Sequence, residues 1–285
     1  KSGKRSAADE AMLRALAETG GPGGKLLIAD CRPKANAVAN KLKGGGTENV
    51  ARYGGKATTK LIFLDIENIH VVRKSYLAMR TICMNVALGA DTKVHRLMEK
   101  KRGWLWHVRT ILAGAVSVAT SLEVAATSVL VHCSDGWDRT PQITCLVQLM
   151  LDPSYRTMKG FAVLVEKEWT SLGHQFDRRH GHGSAEYGDT QRAPVFHQFI
   201  DCTWQLLKQF PDQFEFNADF LIAVTDNVYS CRFGTFLFDT IKQREEAHVF
   251  AFTPSLWTHL NKRSQHERFA NADFNADHAQ VIFPQ

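Results

Sequence analysis

The chain has 285 residues, of which 44% are hydrophobic and 22% are charged, values typical of a globular protein. These values exclude a wholly disordered chain, and the lack of any sustained sequence period excludes coiled coils and repeat arrays. The formal net charge of +6 suits an anionic partner such as phosphate, acidic lipid or nucleic acid, although many solvated surfaces carry as much.

Hydrophobic spacing predicts strands alternating with helices in the first half of the chain and mostly helices in the second half. The early elements are a helix over 7–18, a strand over 25–30, helical turns over 35–43, a flexible loop over 44–46, a strand over 61–64 and a helix within 66–85. The later elements are a helix over 104–122, a strand over 128–131, a helix over 139–151, and helices near 156–172, 195–209, 217–231 and 235–243. Beyond residue 252 we expect a loop with one short helix. The pattern predicts one α/β domain over residues 1–285, with a central sheet flanked by helices and a helix-rich C-terminal half.

Cysteine usage and apolar segments give expectations about the cellular compartment. The six cysteines are scattered, and their spacing matches neither a zinc finger nor a C-x-x-C redox motif. Scattered cysteines in a chain of this length predict reduced thiols in a cytosolic protein. No apolar segment follows the basic start Lys1–Arg5, so no signal peptide is expected. The apolar stretch Thr110–Leu122 is too short to span a bilayer, which predicts a soluble protein.

One segment carries a recognisable chemistry, the C-x5-R sequence that runs from Cys133 to Arg139. It follows a predicted buried strand and precedes an amphipathic helix, so its backbone amides can surround one phosphate group beside the helix N-terminus. The planar guanidinium of Arg139 can bind two phosphate oxygens, and the same positive field favours the thiolate form of Cys133, the nucleophile. The loop therefore predicts phosphoryl transfer through a phosphocysteine, without a metal.

A structural role for this cysteine is the alternative. A lone cysteine is often a small buried hydrophobic residue, and a C-x5-R spacing occurs by chance in many proteins. The context is a much more specific signal than the spacing alone: a strand is followed by His132 and Cys133, then by a glycine-containing loop, Arg139 and a helix. We therefore predict that the loop is the catalytic centre.

The nine residues from His132 to Thr140 resemble the signature sequence of the myotubularin phosphoinositide 3-phosphatases. The resemblance covers about residues 4–260, with similar blocks at 30–33, 36–41, 44–46, 63–66, 68–70, 165–169, 194–196, 214–217 and 233–236. It implies a protein-tyrosine-phosphatase-like cysteine phosphatase fold. Members of this family usually begin with a PH-like lipid-binding domain and a longer phosphatase N-terminus, and we expect both to be missing from this chain.

The resemblance also implies an activity, hydrolysis of the 3-phosphate of phosphatidylinositol 3-phosphate and of the 3,5-bisphosphate, with no cofactor and no metal. By the family's pattern Cys133 attacks phosphorus and Arg139 binds the phosphate. Asp138 protonates the leaving oxygen and then activates water, and Asp135 is the rival acid on chemical grounds alone. The loop residues expected to contribute amides to substrate binding are Ser134, Asp135, Gly136 and Trp137.

Some positions outside the loop match family contacts with the lipid headgroup. They are Asn40, Asn68, Ile69 and Arg179. A loop-capping role fits Asn40, Asn68 and Ile69 equally well. Two positions depart from the family's pattern. Gln175 stands where relatives commonly have a basic residue, and Glu67 stands where they commonly have a histidine. The neutral amide of Gln175 predicts a weaker preference for the bisphosphate.

Three histidines invite a metal site, namely His174, His180 and His182. No acidic or cysteine partner is arranged with them in the sequence, so no metal is expected.

Three other functions remain open alongside the lipid phosphatase. A dual-specificity protein phosphatase would use the same loop on phosphotyrosine peptides, and a catalytically weak scaffold would bind lipid and release no phosphate. A nucleic-acid binder would rest on charge alone and would show a steep salt dependence, and we expect no nucleic-acid partner. The expected partner is a phosphoinositide headgroup on the cytoplasmic surface of endosomal membranes. The resemblance also allows a homodimer, or a heterodimer with a related family member.

Overall fold

The computed structural model describes residues 5–20, 23–41, 46–55, 58–87, 89, 100–183, 185 and 189–284, with the backbone alone at positions 40 and 41. The first elements are α1 Ala7–Thr19, β1 Leu26–Asp30, α2 Lys34–Lys41, β2 Thr59–Phe63, α3 Ile69–Ala87, α4 Trp104–Glu123 and β3 Ser128–His132. The following helices are α5 Arg139–Leu151, α6 Met158–Val165, α7 Phe176–His180, α8 Val195–Gln209, α9 Ala218–Ser230, α10 Ile241–Glu246, α11 Val249–Phe252, α12 Leu256–Leu260 and α13 Arg263–Phe269. The predicted loop over 44–46 lies outside the described residues except for Gly46.

Within the described residues the sheet has three parallel strands in the order β2–β1–β3, which places the carboxyl ends of all three at one edge. Every residue of the central strand β1 is buried, as is typical of a parallel sheet covered by other elements. At the carboxyl edge Asp30 is in register with Phe63 of β2 and with His132 of β3. The chain leaves β3 at this edge and enters the loop Cys133–Arg139, so the sheet fixes the position of the loop.

The helices α4, α5 and α8 form the centre of the helical part, where α5 packs against both of the others. Their fully buried apolar side chains include Ile111, Ala115, Ile143, Leu146, Phe196 and Phe199. Trp169 follows α6 in a short π-helical segment, and its ring packs edge-on against Phe196 with 5.0 Å between centroids. This core fixes α5, the helix that begins at Arg139, against its neighbours.

Helix α4 is long and apolar enough, by length and composition, to cross a bilayer. Its buried residues recur at helical spacing and include Val108, Ile111, Ala115 and Ala119. These residues belong to the hydrophobic core, where α4 packs against α5 and α8. Here α4 occupies the place of a core helix, and the helix predicted over 104–122 is confirmed to within one residue.

The helix predicted over 235–243 is wrong. A 3-10 turn at Gly234–Phe236 and the separate helix α10 replace it. The break arises because Thr240 and Gln243 form a capping box, in which each side chain bonds to the other residue's backbone amide and starts a new helix. The single helix predicted over 156–172 is likewise divided into α6 and the π-helical segment Glu166–Thr170.

The region beyond residue 252 contains two helices, α12 and α13, where one short helix was expected. Ser255 starts α12 by accepting a hydrogen bond from the backbone amide of Trp257 at 3.2 Å. Contacts with distant residues hold the following segment: the fully buried Arg156 donates to the carbonyls of Leu149 and Gln280. The C-terminal region is therefore part of the same packed core as α5.

Candidate active site

The loop Cys133–Arg139 connects β3 to α5 at the carboxyl edge of the sheet. Pairing with β1 extends beyond the strand itself, because the amide of Cys31 donates to the carbonyl of His132 at 2.8 Å. Gly136 has a φ of 94°, a conformation that residues with a side chain rarely adopt. The turn at this position therefore requires glycine, and it lets the loop reverse direction between the sheet and α5.

Cys133 lies inside the loop with 9% of its surface exposed. Its Sγ accepts hydrogen bonds from the backbone amide of Gly136 and from the hydroxyl of Thr140, each at 3.3 Å. Donors directed at sulfur stabilise negative charge on it, as a thiolate nucleophile requires. Burial raises the pKa of the neighbouring Cys31 thiol well above its usual range, and the proximity of Cys133 adds to this shift. Cys31 therefore stays a neutral thiol, and Cys133 is the candidate nucleophile.

Arg139 is oriented by two acceptors on different segments. Its Nη2 donates to Oγ of Ser134 at 3.0 Å, and its Nη1 donates to the carbonyl of Ile66 at 3.4 Å. The guanidinium consequently lies beside the residue that follows Cys133. A phosphoryl group bound to the sulfur would present its oxygens to this guanidinium and to the loop amides.

Asp138 is buried and ion-paired at the wall of the site. Its carboxylate accepts hydrogen bonds from Arg179 Nη2 at 2.8 Å and Nε at 3.2 Å, and lies 3.1 Å from Nδ1 of His174. Burial alone would raise the pKa of this carboxyl. The hydrogen bonds and charges of His174 and Arg179 outweigh burial and hold the pKa of Asp138 well below its usual range. In this structure Asp138 is therefore ionised and fixes the guanidinium of Arg179.

A polar cleft of about 590 Å³ opens over the loop, a volume typical of small-molecule sites. The loop residues that line it are Ser134, Asp135, Trp137, Asp138 and Arg139. Ser134 and Asp135 are exposed, whereas Trp137 is half-buried and its carbonyl lies 2.7 Å from Nδ1 of His174. Of the loop residues predicted to bind substrate, Ser134, Asp135 and Trp137 line this cleft, whereas Gly136 does not and instead directs its amide at Cys133, which is buried.

The cleft also brings together predicted residues from other elements, namely Asn68, Ile69 and Arg179. Asn68 caps α3, because its Oδ1 accepts from the backbone amides of His70 at 3.0 Å and Val71 at 3.2 Å. Its Nδ2 is not needed for the cap and is available to a ligand. The capping role and the headgroup role considered for Asn68 are therefore compatible. The side chain of Asn40 lies outside the described residues.

Several polar residues of the cleft were not predicted as site residues. They are Arg32, Asn36, Glu67, His70, Gln142, Arg178, Gln191 and Gln198. Arg32 binds the fully buried carboxylate of Asp30, with Nη2 at 2.6 Å from Oδ2. Arg178 could have been predicted from the sequence, because it directly precedes Arg179, which was predicted as a site residue.

The histidines considered as metal ligands lie among aromatic rings. His180 is central, with ring centroids 6.4 Å from His174, 5.9 Å from His182 and 5.5 Å from His197. His174 also packs edge-on against Trp169 at 4.8 Å. Among the residues that the structure describes, no group of three or more His, Cys, Asp or Glu is arranged to hold a metal ion.

Two buried histidines, His107 and His180, and two half-buried ones, His182 and His197, predict that the fold is acid-sensitive. Burial lowers the pKa of His107, His180 and His182, and it lowers that of His197 to about 4. Because these rings bind protons more weakly in the folded chain, the unfolded chain takes up more protons once the pH falls below about 6.5. Stability is therefore lost as the pH falls. We expect the unfolding free energy, measured by urea denaturation, to drop by about 3 kcal/mol or more between about pH 7 and about pH 4.5.

The contribution of a single histidine can be isolated by substitution. His197→Phe should reduce the pH dependence by up to about 1.4 kcal/mol per pH unit, because one titrating group is removed. His248→Asn, at an exposed histidine outside this cluster, should leave the pH dependence unchanged. An unfolding free energy that stays constant over this pH range would contradict the assignment of these rings as neutral in the folded chain.

Comparison with known proteins gives matches over nearly the whole chain. The model of a family described as the myotubularin-like phosphatase domain matches residues 1–245. Myotubularin of Xenopus laevis is 47% identical over 283 residues, and phosphatidylinositol-3,5-bisphosphate 3-phosphatase MTMR2 of Mus musculus is 48% identical over 284 residues. Each match covers 99% of this chain, but only 46% and 43% of those relatives respectively. The chain thus spans less than half the length of the relatives it matches.

Proposed function

The chain belongs to the myotubularin-like phosphatase family, and on that premise we propose that it removes the 3-phosphate of phosphatidylinositol 3-phosphate and of phosphatidylinositol 3,5-bisphosphate. The observation that carries the proposal is the loop Cys133–Arg139, in which two donors reach the sulfur and the Arg139 guanidinium, bonded to the adjacent Ser134, lines a polar cleft. The mouse relative's name specifies the 3,5-bisphosphate and removal of its 3-phosphate. The same loop, placed after a strand of a parallel sheet, supports a protein-tyrosine-phosphatase-like fold for the domain.

The proposed reaction has two chemical steps. In the first, the Cys133 thiolate attacks phosphorus, so that a P–S bond forms while the bond from phosphorus to the inositol oxygen breaks. The electron pair of that bond goes to the inositol oxygen, which takes a proton and leaves. Arg139 and the loop amides bind the other phosphoryl oxygens throughout. In the second step water attacks the phosphocysteine, which releases inorganic phosphate and restores the thiolate.

Asp138 is the proposed acid and base, and substrate binding favours the uptake of a proton from solvent by its carboxyl. In this structure Arg179 and His174 keep the carboxyl ionised. A substrate phosphate brings negative charge close to Asp138, and a like charge raises the pKa of a carboxyl. The protonated Asp138 can then donate to the leaving oxygen, and the resulting carboxylate can activate water. Asp135 is exposed and also lines the cleft, so its carboxyl is the alternative acid.

The proposal includes the setting in which the enzyme acts. The lipid is presented by the cytoplasmic face of endosomal membranes, and the net charge of +6 supports attraction to an anionic surface. Neither a cofactor nor a nucleic acid takes part. Dimerisation with a second copy or a related family member belongs to the same proposal and rests on the resemblance alone.

Phosphate release from short-chain, soluble versions of every phosphoinositide isomer tests the proposed activity. We expect release from the 3-phosphate and the 3,5-bisphosphate and little from isomers phosphorylated only at positions 4 or 5. A phosphotyrosine peptide in the same panel separates the rival phosphatase, because faster release from the peptide would favour a protein substrate. Lipid binding without any release would favour the scaffold.

A further inference from the structure

Within the described residues, four arginines line the cleft, and they differ in what their guanidinium groups already bind. They are Arg32, Arg139, Arg178 and Arg179. Arg32 is ion-paired with Asp30 at 2.6 Å, and Arg179 is ion-paired with Asp138 at 2.8 Å. Arg139 belongs to the loop that binds the reactive phosphate. Carboxylates therefore balance the charges of Arg32 and Arg179, and the charge of Arg139 is used at the reaction centre.

In the part of the chain that the structure describes, Arg178 is neither paired with a carboxylate nor part of the catalytic loop. Its side chain is exposed, and within the described part of the chain its guanidinium has neither a hydrogen bond nor an ion pair. Only its backbone amide is bonded, to Oδ1 of Asp239 at 3.3 Å. No lysine is found among the described residues that line the cleft. Among the arginines of the cleft that the structure describes, Arg178 is thus the one outside the catalytic loop whose guanidinium has no carboxylate partner and can bind a ligand.

Arg178 belongs to a different element of the fold from the loop that holds Cys133. It lies on α7, and two nearby residues in the chain, Gln175 directly before α7 and Arg179 within it, also line the cleft. Backbone bonds fix this wall, because the amide of Arg179 donates to the carbonyl of Gln175 at 2.8 Å and the amide of Ala193 donates to the carbonyl of Arg179 at 3.1 Å. The reactive phosphate binds on a different element, at the loop after β3. The cleft therefore offers a second place for an anionic group, at α7.

We propose that Arg178 binds the 5-phosphate of phosphatidylinositol 3,5-bisphosphate and so sets the preference for the bisphosphate over the monophosphate; this inference rests on the function proposed above. A guanidinium can donate two parallel, charge-assisted hydrogen bonds to a phosphate, whereas the neutral amide of Gln175 lacks the charge. Arg178 thereby offsets the weaker bisphosphate preference expected from Gln175 alone.

Binding of soluble headgroups to a Cys133→Ser protein tests this assignment without hydrolysis. Isothermal titration calorimetry with inositol 1,3,5-trisphosphate and inositol 1,3-bisphosphate gives the ratio of their two Kd values. Adding Arg178→Ala should lower the preference for the trisphosphate by about tenfold, the value of a charged hydrogen bond to phosphate. Adding Gln175→Arg to the Arg178→Ala protein should restore the preference, because it returns a cation to the same wall. Arg263→Ala, at an exposed arginine that does not line the cleft, should leave the ratio unchanged.

The possible outcomes separate the assignment of Arg178 from the proposed activity. A ratio that Arg178→Ala does not change, or an equal loss of affinity for both headgroups, overturns the assignment. Circular dichroism and Tm should match the parent protein, because the replaced side chain is exposed. If the wild-type chain releases no phosphate from either lipid while Arg178→Ala still removes the preference, the activity fails and the assignment stands. If the parent protein binds neither headgroup, both fail.

Discussion

Replacing Cys133 by serine is expected to lower kcat on phosphatidylinositol 3-phosphate by at least about four orders of magnitude. A hydroxyl is a much weaker nucleophile than a thiolate at neutral pH, so the P–S step has no adequate substitute. The donors that reach the sulfur, the amide of Gly136 and the hydroxyl of Thr140, remain in place and can bond to a serine oxygen. Headgroup binding, measured by calorimetry, should therefore persist in Cys133→Ser while single-turnover phosphate release is lost.

Cys83→Ser is the matched control for this substitution. Cys83 is exposed on α3 and does not line the cleft, so its replacement should leave kcat and KM unchanged. Cys31 cannot take over as the nucleophile, because burial raises the pKa of its thiol. Retention of a substantial fraction of activity by Cys133→Ser would show that the reaction does not proceed through this sulfur.

Asp138→Ala is expected to lower kcat on the natural lipid by about two to four orders of magnitude, the usual contribution of a general acid and base. The loss should be much smaller with p-nitrophenyl phosphate, because p-nitrophenolate leaves without a proton. Asp135→Ala should cost less than Asp138→Ala on the lipid. Parallel kcat measurements with both substrates separate a chemical role of Asp138 from a structural one.

The alternative is that Asp138 has only a structural role, because its carboxylate is the ion-pair partner of the buried Arg179. Asp138→Ala leaves that charge uncompensated, which lowers stability by about 3 kcal/mol or more. Asp138→Asn retains a hydrogen-bond acceptor for Arg179 and cannot transfer a proton, so it should keep more of the stability and show the same dependence on leaving group. Equal losses on the lipid and on p-nitrophenyl phosphate would mean that Asp138 acts only through Arg179.

Local sequence patterns were sufficient to predict the centre of this site. An apolar run followed by the C-x5-R motif and an apolar helical stripe predicted the strand, the loop and the helix, and the structure has β3, the loop and α5 at these positions. Each of these signals is contained in a short segment, where hydrophobic periodicity and turn chemistry determine the conformation. The helix predicted over 104–122 rests on the same kind of local periodicity, and the structure confirms it.

Contacts between distant segments could not be predicted in this way. The ion pair of Asp138 with Arg179 joins residues 41 positions apart, and it determines the ionisation of the carboxyl. The unused charge of Arg178 becomes evident only when the partners of the other cleft arginines are known. The break before α10 is absent from the prediction although its capping box, Thr240 with Gln243, is local.

Transfer of labelled phosphate to Cys133 tests the central claim most directly. Phosphatidylinositol 3-phosphate carrying radioactive phosphorus only at position 3 is mixed with the enzyme, quenched in acid within one turnover and digested for peptide mapping. We predict that the label is bound to the peptide containing Cys133 and is absent from that peptide in Cys133→Ser. Substrate labelled only in the phosphodiester at position 1 should leave the protein unlabelled. Release of the 3-phosphate without label on Cys133, or label on another residue, would contradict the account.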